Sequence, residues 1–272
     1  TIQCKLSADA TISEAYVHYS LTSSFEDYEE VKMTLVNENY SALLLNLADN
    51  ATYYIRYKVS NKYSQVMSKS VNSFTTLAGT ENGYGYVDLG LSVKWATCNV
   101  GATKPEEYGD YFAWGETQPK DYYDWSTYKW CNGSYNNLTK YCKDSDYGTI
   151  DNKTVLNLAD DAAHANWGGA WRMPTLEEQR ELQDNCTWTW TKVNGVNGYT
   201  VTGPNGNSIF LPAAGYRYNS ALLTAGSHGI FWSSSLYADI SVTANDLGFI
   251  SSYVGCGGFD RCGGLSVRPV LP

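Results

Sequence analysis

The first 78 residues contain neither glycine nor proline, and no tryptophan occurs before Trp95. All 24 glycines, all seven prolines and all nine tryptophans come later. Glycine and proline make tight reversals cheap, through positive φ or a preset φ. The two stretches must therefore turn their chains by different means, which predicts two domains, 1–78 and 79–272. Each is long enough to bury a core.

The formal charge of −9 argues against nucleic-acid or anionic-membrane partners, since both need a basic patch to displace counterions. No apolar run approaches the roughly 18 residues of a spanning helix. Nothing at Thr1 resembles a secretory signal, and the chain opens inside a strand-like segment, as expected of a mature or trimmed protein. The 23 tyrosines, with abundant Asn, Ser, Thr and Gly, fit an extracellular β-rich protein. Seven cysteines leave at least one thiol unpaired in a monomer. Cys131 with Cys142, or Cys256 with Cys262, would close a local disulfide in an oxidising compartment. Cys4, Cys98 and Cys186 read as small buried hydrophobes. Zinc is not expected, because His18, His164 and His228 are isolated and no C-x₂-C pair exists.

In the first domain, Ala15 to Ser20 and Thr52 to Val59 alternate with period two, as half-buried strands do. Leu43 to Leu47 is expected to be a strand ending in a turn at Ala48–Ala51, and Val71 to Leu77 a final strand. Short strands at this spacing suggest a β-sandwich. The run Leu47-Ala48-Asp49-Asn50-Ala51-Thr52-Tyr53-Tyr54-Ile55-Arg56-Tyr57 resembles the leucine, turn and Thr-x-Tyr-x-x-Arg strand of fibronectin type III or immunoglobulin-like modules. That resemblance implies a spacer.

The second domain reads as mixed, so the fold class is α+β. Tyr86 to Ala96 is a hairpin with Gly90 near its turn, and Tyr108 to Glu116 an aromatic strand. Thr154 to Trp167 carries Val155, Leu158, Ala159, Ala162, Ala163 and Trp167 on one helical face. A second helix follows Pro174, with the capping box Thr175-Leu176-Glu177-Glu178, and runs to about Asn185. Asn194-Gly195, Asn197-Gly198 and Asn205-Gly206 each mark a tight turn. Trp95, Trp114, Trp171 and Trp232 sit in apolar or glycine frames and read as core. Arg172 and Arg268 read as structural hydrogen-bonders.

Six segments in order resemble one family. They are Trp95 to Gly101, Tyr108 to Glu116, Trp167 to Thr175, Phe210 to Arg217, Phe231 to Ser235 and Leu265 to Val270. Together they are similar to the Fibrobacter succinogenes major paralogous domain of gut Bacteroidetes surface proteins. The resemblance implies a C-type-lectin-like fold with two helices and a small antiparallel sheet, related to formylglycine-generating enzymes. It also implies a place at the cell surface or outer membrane.

Between Tyr216 and Gly264, short Ser-, Gly-, Asn-, Asp- and Tyr-rich loops have the composition of antibody-type binding surfaces. From Ser233 to Pro272 there is no Lys, Glu, Gln, Met or Trp, although these make up 42 of the 272 residues. Codons ending in a pyrimidine cannot encode those five. This bias marks lectin-like targets of diversity-generating retroelements. Ordinary β-turn composition is the alternative, since Val193 to Phe231 lacks the same five.

The expected ligand face comprises Tyr218, Asn219, Tyr237, Asp239, Asn245, Asp246, Tyr253, Phe259, Asp260 and Arg261. Its expected partner is an extracellular glycan or protein, with no nucleic acid and no membrane insertion. The Glu-Pro-Asn and Trp-Asn-Asp tripeptides of calcium-dependent sugar binding are absent. No cofactor is implied beyond a structural calcium ion, for which Asp239, Asp246 and Asp260 offer oxygens.

An enzyme is not expected. Cys256 and Cys262 suggest the cysteine pair of a formylglycine-generating oxidase, but they lie too close to the closing strand and lack that family's flanks. No G-x-S-x-G frames a serine nucleophile. The remaining alternative is a structural stalk or pilus-tip subunit.

Overall fold

The computed structural model describes residues 2–4, 12–44, 47, 51–76 and 79–272. The chain forms two compact units, Thr1–Leu77 and Ala78–Pro272, made mostly of antiparallel β-strands with two α-helices.

The first unit contains β1 (Ile2–Cys4), β2 (Glu14–Ser20), β3 (Glu29–Lys32), β4 (Thr34–Val36), β5 (Asn39–Ala42), β6 (Thr52–Ser60), β7 (Gln65–Met67) and β8 (Asn72–Thr75). One sheet runs β1-β5-β4. The other runs β3-β2-β6, with β7 and β8 both paired to β6. Ala15 and Val17 of β2, Ile55 of β6 and Ala42 of β5 share one cluster, so the two sheets bury a common core. The alternation of β2 breaks at His18, which is 2% exposed. Its ring stacks under Tyr28 at 4.3 Å, and Nε2 bonds Glu30 at 2.5 Å. Much of the expected strand over Leu43–Leu47 and turn over Ala48–Ala51, and the expected strand end at Leu77, lie outside the described residues. Leu43 and Leu44 themselves follow β5 without strand pairing.

The second unit opens with β9 (Gly79–Glu81), β10 (Tyr84–Val87) and β11 (Lys94–Ala96). The expected hairpin is present, with Tyr86 opposite Ala96 and Val87 opposite Trp95. Residues 97–157 then run without a named helix or strand. The strand expected over Tyr108–Glu116 is reduced to one bridge, Phe112 to Leu265. Aromatic tips hold this long segment instead. Trp232 Nε1 donates to the Phe112 carbonyl at 2.7 Å and Trp114 Nε1 to the Ser233 carbonyl at 2.8 Å. The Tyr111, Tyr123 and Tyr128 hydroxyls donate to the carbonyls of Ala214, Tyr111 and Trp114. Each ring buries apolar area while its polar tip pairs a loop carbonyl that water no longer reaches.

The first helix departs from expectation. Only α1 (Ala162–Trp167) is helical, after a 3₁₀ turn at Leu158–Asp160. The expected N-terminal half is extended because Leu156 N–H donates to Ser234 O and Leu236 N–H to Thr154 O. Val155 and Leu158 of the expected apolar face are consequently exposed. Asp161 sets the true start, its carboxylate accepting from His164 N–H at 3.0 Å. α2 (Leu176–Asn185) begins as its capping box dictates. Thr175 Oγ1 accepts from Glu178 N–H, and Glu178 accepts from Thr175 N–H at 2.8 Å. Glu178 also holds Arg172 through two bonds of 2.7 and 2.6 Å.

The remaining strands are β12 (Thr187–Val193), β13 (Val196–Thr202), β14 (Ser208–Pro212), β15 (Tyr216–Tyr218), β16 (Ala221–Leu223), β17 (His228–Leu236), β18 (Thr243–Ile250), β19 (Tyr253–Asp260) and β20 (Val270–Leu271). They form sheets β12-β13-β14, β15-β16 and β17-β18-β19, while β20 joins β11. Asn194-Gly195 turns β12 into β13 with both residues at positive φ, the requirement of a tight hairpin. Gly206, also at positive φ, turns β13 toward β14. Asn197-Gly198 is no turn, since both pair inside β13. Trp95, Trp114, Trp171 and Trp232 are all 0–1% exposed, so the expectation that they are core holds. Arg268 is 1% exposed and donates to Asn99 Oδ1 and to the carbonyls of Ala96 and Phe210, at 2.9–3.0 Å. Burial pulls its pKa down to about 10. No helix among the described residues is long and apolar enough to cross a membrane.

Candidate ligand-binding face

β18 lies between β17 and β19, with Ile230 opposite Gly248, Trp232 opposite Asp246, Asp246 opposite Gly257, and Ile250 opposite Tyr253. Side chains alternate across a strand. One face therefore carries Ile230, Trp232, Ala244, Asp246, Gly248, Tyr253, Gly255, Gly257 and Phe259. The opposite face carries Phe231, Leu247, Phe249, Val254 and Cys256, packed with Leu182 of α2 and with Trp188, Trp190 and Tyr199. Gln183 of α2 accepts the Cys256 N–H at 3.1 Å. That side is closed. The first face is closed at one end, where Trp232, Ala244 and Phe259 join the main core and Tyr216 packs edge-on to Phe259 at 5.0 Å. It opens toward Tyr253, which is 63% exposed.

The ten expected ligand residues do not form one surface. Asp246, Tyr253 and Phe259 share the first face by register. Tyr237 lies on the opposite side, since a Cβ at Gly258 would sit 2.7 Å from its ring, and Gly258 pairs with Asn245. Asn245–Asp246 and Phe259–Asp260 are neighbours in sequence, so a pleated strand must send the members of each pair to opposite faces. Tyr218 and Asn219 sit at the β15–β16 hairpin. Tyr218 packs half-buried on the cluster that contains Cys262, and Asn219 turns the chain at φ +53°. Asp239 and Asp260 are exposed.

Two expected ligand residues are interior. Asn245, 6% exposed, spends its amide N–H groups on the carbonyls of Ser235 and Leu236, at 3.3 and 2.8 Å, and so holds the irregularity in β17 between Trp232 and Leu236. Arg261 is 0% exposed. Its guanidinium donates to the Tyr128 hydroxyl at 2.9 Å and to the carbonyls of Tyr141, Ser241 and Lys140 at 2.9–3.0 Å. It lies 4.9 Å from the Trp114 ring centroid. A residue read as a surface cation is the pin of the long loop.

Asp246 is a third case. It is 6% exposed, yet among the described residues no hydrogen bond or ion pair engages its carboxyl, and burial pushes its pKa up to about 7. Its surroundings are glycines that sequence reasoning passed over. The signal available was Gly255-Val-Gly257 within an alternating segment, since interior strand glycines mark close approach or vacant side-chain space.

The cysteines form no disulfide; all seven are free. Cys131 and Cys142 instead donate Sγ–H to the carbonyls of Trp125 and Asp144. Cys256 and Cys262 belong to different clusters. Burial raises the Cys256 thiol to about 11 and the Cys262 thiol, with help from Asp260, to about 12. Among the described residues no group of three or more His, Cys, Asp or Glu comes together to hold a metal. In the first unit, a separate cleft of about 530 Å³ is lined by Tyr19, Tyr28, Tyr53, Asp27 and Glu29 among others, in a stretch the sequence marks only as spacer.

No family model, no curated protein and no solved structure matches the chain.

Proposed function

We propose that this is a non-catalytic binding protein of the cell surface or outer membrane, in which a fibronectin III-like module precedes a C-type-lectin-like domain. The ligand, an extracellular glycan or protein, docks on the open face of the β17–β18–β19 sheet. The observation that carries this reading is the asymmetry of that sheet. One side is sealed by α2 and three aromatic rings, Trp188, Trp190 and Tyr199, whereas the other leaves Tyr253 exposed and Gly248 and Gly257 half-exposed. An exposed tyrosine gives contact area at low entropy cost.

The non-catalytic part rests on the thiols and on the surroundings of the histidines. Cys256 and Cys262 are held protonated by burial, which is the reverse of what a nucleophilic cysteine needs. His164 Nδ1 hydrogen-bonds the Trp171 carbonyl and His228 Nδ1 its neighbour Ser227, while the His18 ring paired with Glu30 is 2% exposed and stacked under Tyr28. The domain assignment draws support from the capping box of α2 and from the four tryptophans of the motif segments, all buried.

Glycan and protein arrays probed with the whole chain, with and without chelator, test the reading. A ligand bound by the parent and lost on Tyr253→Ala, at unchanged melting temperature, is expected. Equal binding by that variant sinks this face as the site.

A further inference from the structure

Burying an ionisable carboxyl without a partner is costly, and native structures rarely tolerate it without a compensating role. The Asp246 side chain is 6% exposed with no hydrogen-bond partner among the described residues, and its oxygens are not walled in. A Cβ built at Gly257 would meet nothing nearer than the two Asp246 oxygens, both at 3.8 Å. One at Gly248 would lie 3.3 Å from Oδ1 and otherwise touch only the Gly255 carbonyl at 3.8 Å. Space that side chains would normally fill therefore stands open beside the carboxyl.

The third glycine has the opposite reason for being glycine. A Cβ at Gly255 would collide with Tyr253, 2.2 Å from its hydroxyl oxygen and 2.6 Å from Cζ. The Tyr253 ring thus lies along its own strand, over Gly255. The result is a slot floored by Gly248 and Gly257, with a carboxyl on one side and the Tyr253 ring, which covers Gly255, at the mouth. Asp246 carries no charge partner; burial alone accounts for its environment.

We propose that this slot receives an alkylammonium group, such as a lysine side chain of a protein ligand, with the ammonium on Asp246 and the alkyl stem along Tyr253. The chemistry of the donors selects that class. A desolvated carboxyl gains most from a cation that also donates hydrogen bonds, and a tyrosine ring at the entrance favours a cation and its methylenes. A slot with no side chain on its floor admits an unbranched chain. This proposal rests on the reading of the same face as the binding surface, and it fixes which ligand chemistry that face selects.

The test is an amide NMR titration of the full chain with n-butylammonium chloride, against n-pentanol as the neutral probe of similar length. Saturable shifts centred on Asp246, Gly248 and Gly257 are expected with butylammonium and not with pentanol. Asp246→Asn, which keeps the shape and removes the charge, should weaken binding about tenfold or more, as expected for a lost charge-assisted hydrogen bond. Gly257→Val should block entry while leaving the amide spectrum of the core in place. Absence of saturable shifts in the parent overturns the slot, as do equal shifts with pentanol or undiminished binding by Asp246→Asn. The probe reports on the slot whether or not an array yields a macromolecular ligand. Failure here with success on the arrays would therefore remove the ammonium assignment and leave the face.

Discussion

Two regions of the second unit bury charge, and they do so in opposite ways. Around Arg261, a phenol and three carbonyls receive the guanidinium and Trp114 lies across it. Around Asp246, no donor among the described residues is paired with the carboxyl, and two of the neighbouring positions are vacant for want of a side chain. A buried charge with its partners in place acts as structure, because removing it would orphan every group it satisfies. A buried carboxyl without partners carries a cost that the fold does not recover by itself. The first arrangement is complete within the chain, whereas the second is completed from outside.

Removing the guanidinium is the largest perturbation this comparison predicts. Arg261→Ala leaves three loop carbonyls unpaired and a cavity under Trp114, a loss of about 3–5 kcal/mol. Arg261→Lys should recover little, since a point ammonium cannot reproduce the fork. Thermal unfolding by circular dichroism checks both. A loss below about 1 kcal/mol for the alanine variant, the range of ordinary surface changes, would show that Arg261 is not the pin of the loop.

The converse substitution should stabilise. The folded-state pKa of Asp246 is raised from 3.8 to about 7, so its ionisation penalises the native state. That penalty is absent below the unfolded value, grows between about pH 4 and 7, and is full above. Asp246→Asn should therefore raise stability at pH 8 by up to about 4 kcal/mol at 1.36 kcal/mol per pK unit, and by almost nothing at pH 4. Tyr253 and His228 share its face, and Cys256 lies on the adjoining strand with Arg180 near it, but burial is the sole cause behind the Asp246 shift. Urea unfolding of parent and variant at pH 4 and pH 8 measures the difference. A variant that destabilises at pH 8 would mean that the carboxyl has a structural partner after all.

Between these extremes stands the half-buried Arg172–Glu178 pair at the start of α2. Burial alone would raise the Glu178 pKa, but the Arg172 and Thr175 hydrogen bonds outweigh it and hold the pKa below the usual value. Its contribution is therefore present above the unfolded value and lost as pH falls through the lower folded one. Glu178→Ala removes half of the capping box and frees Arg172, a cost of about 1–2 kcal/mol at neutral pH. The same urea series should show that cost shrinking on acidification. An unchanged cost at pH 3 would separate the cap from its ionic part.

What could be read in the sequence follows the range of the interactions involved. The capping box of α2, the Asn194-Gly195 turn and the buried tryptophans are decided by residues near in sequence or by bulk. The first helix is shorter than its apolar spacing suggests because that spacing competes with an edge pairing to β17, nearly 80 positions away, where Ser234 and Leu236 bond Leu156 and Thr154. The ligand face departs from the expected one for a local reason that the sequence itself contains. Asn245 with Asp246, and Phe259 with Asp260, cannot face the same way along a strand. Arg261 was not legible, since nothing in its flanks reveals that Lys140, Tyr141 and Ser241 will present three carbonyls to one guanidinium. The Asp246 slot needed the register of three strands to bring Gly248 and Gly257 beside one carboxyl.

The smallest expected effect on stability sharpens the contrast most. Tyr253 is 63% exposed, and its ring contacts its own strand over Gly255. Tyr253→Ala should shift stability by no more than about 0.5 kcal/mol, as surface changes do. The same substitution removes the aromatic wall of the slot and should weaken butylammonium binding by about 0.5–1 kcal/mol, the range for an exposed cation–π contact, which is roughly two- to fivefold. Tyr253→Phe keeps the ring and should keep the binding. Since Arg261 and Asp246 differ in whether the chain completes them, Tyr253 must behave as part of the incomplete site: silent in folding and audible in binding. If Tyr253→Ala melted well below the parent, the ring would be serving the sheet, and Gly255 would be a packing glycine instead of the threshold of a slot.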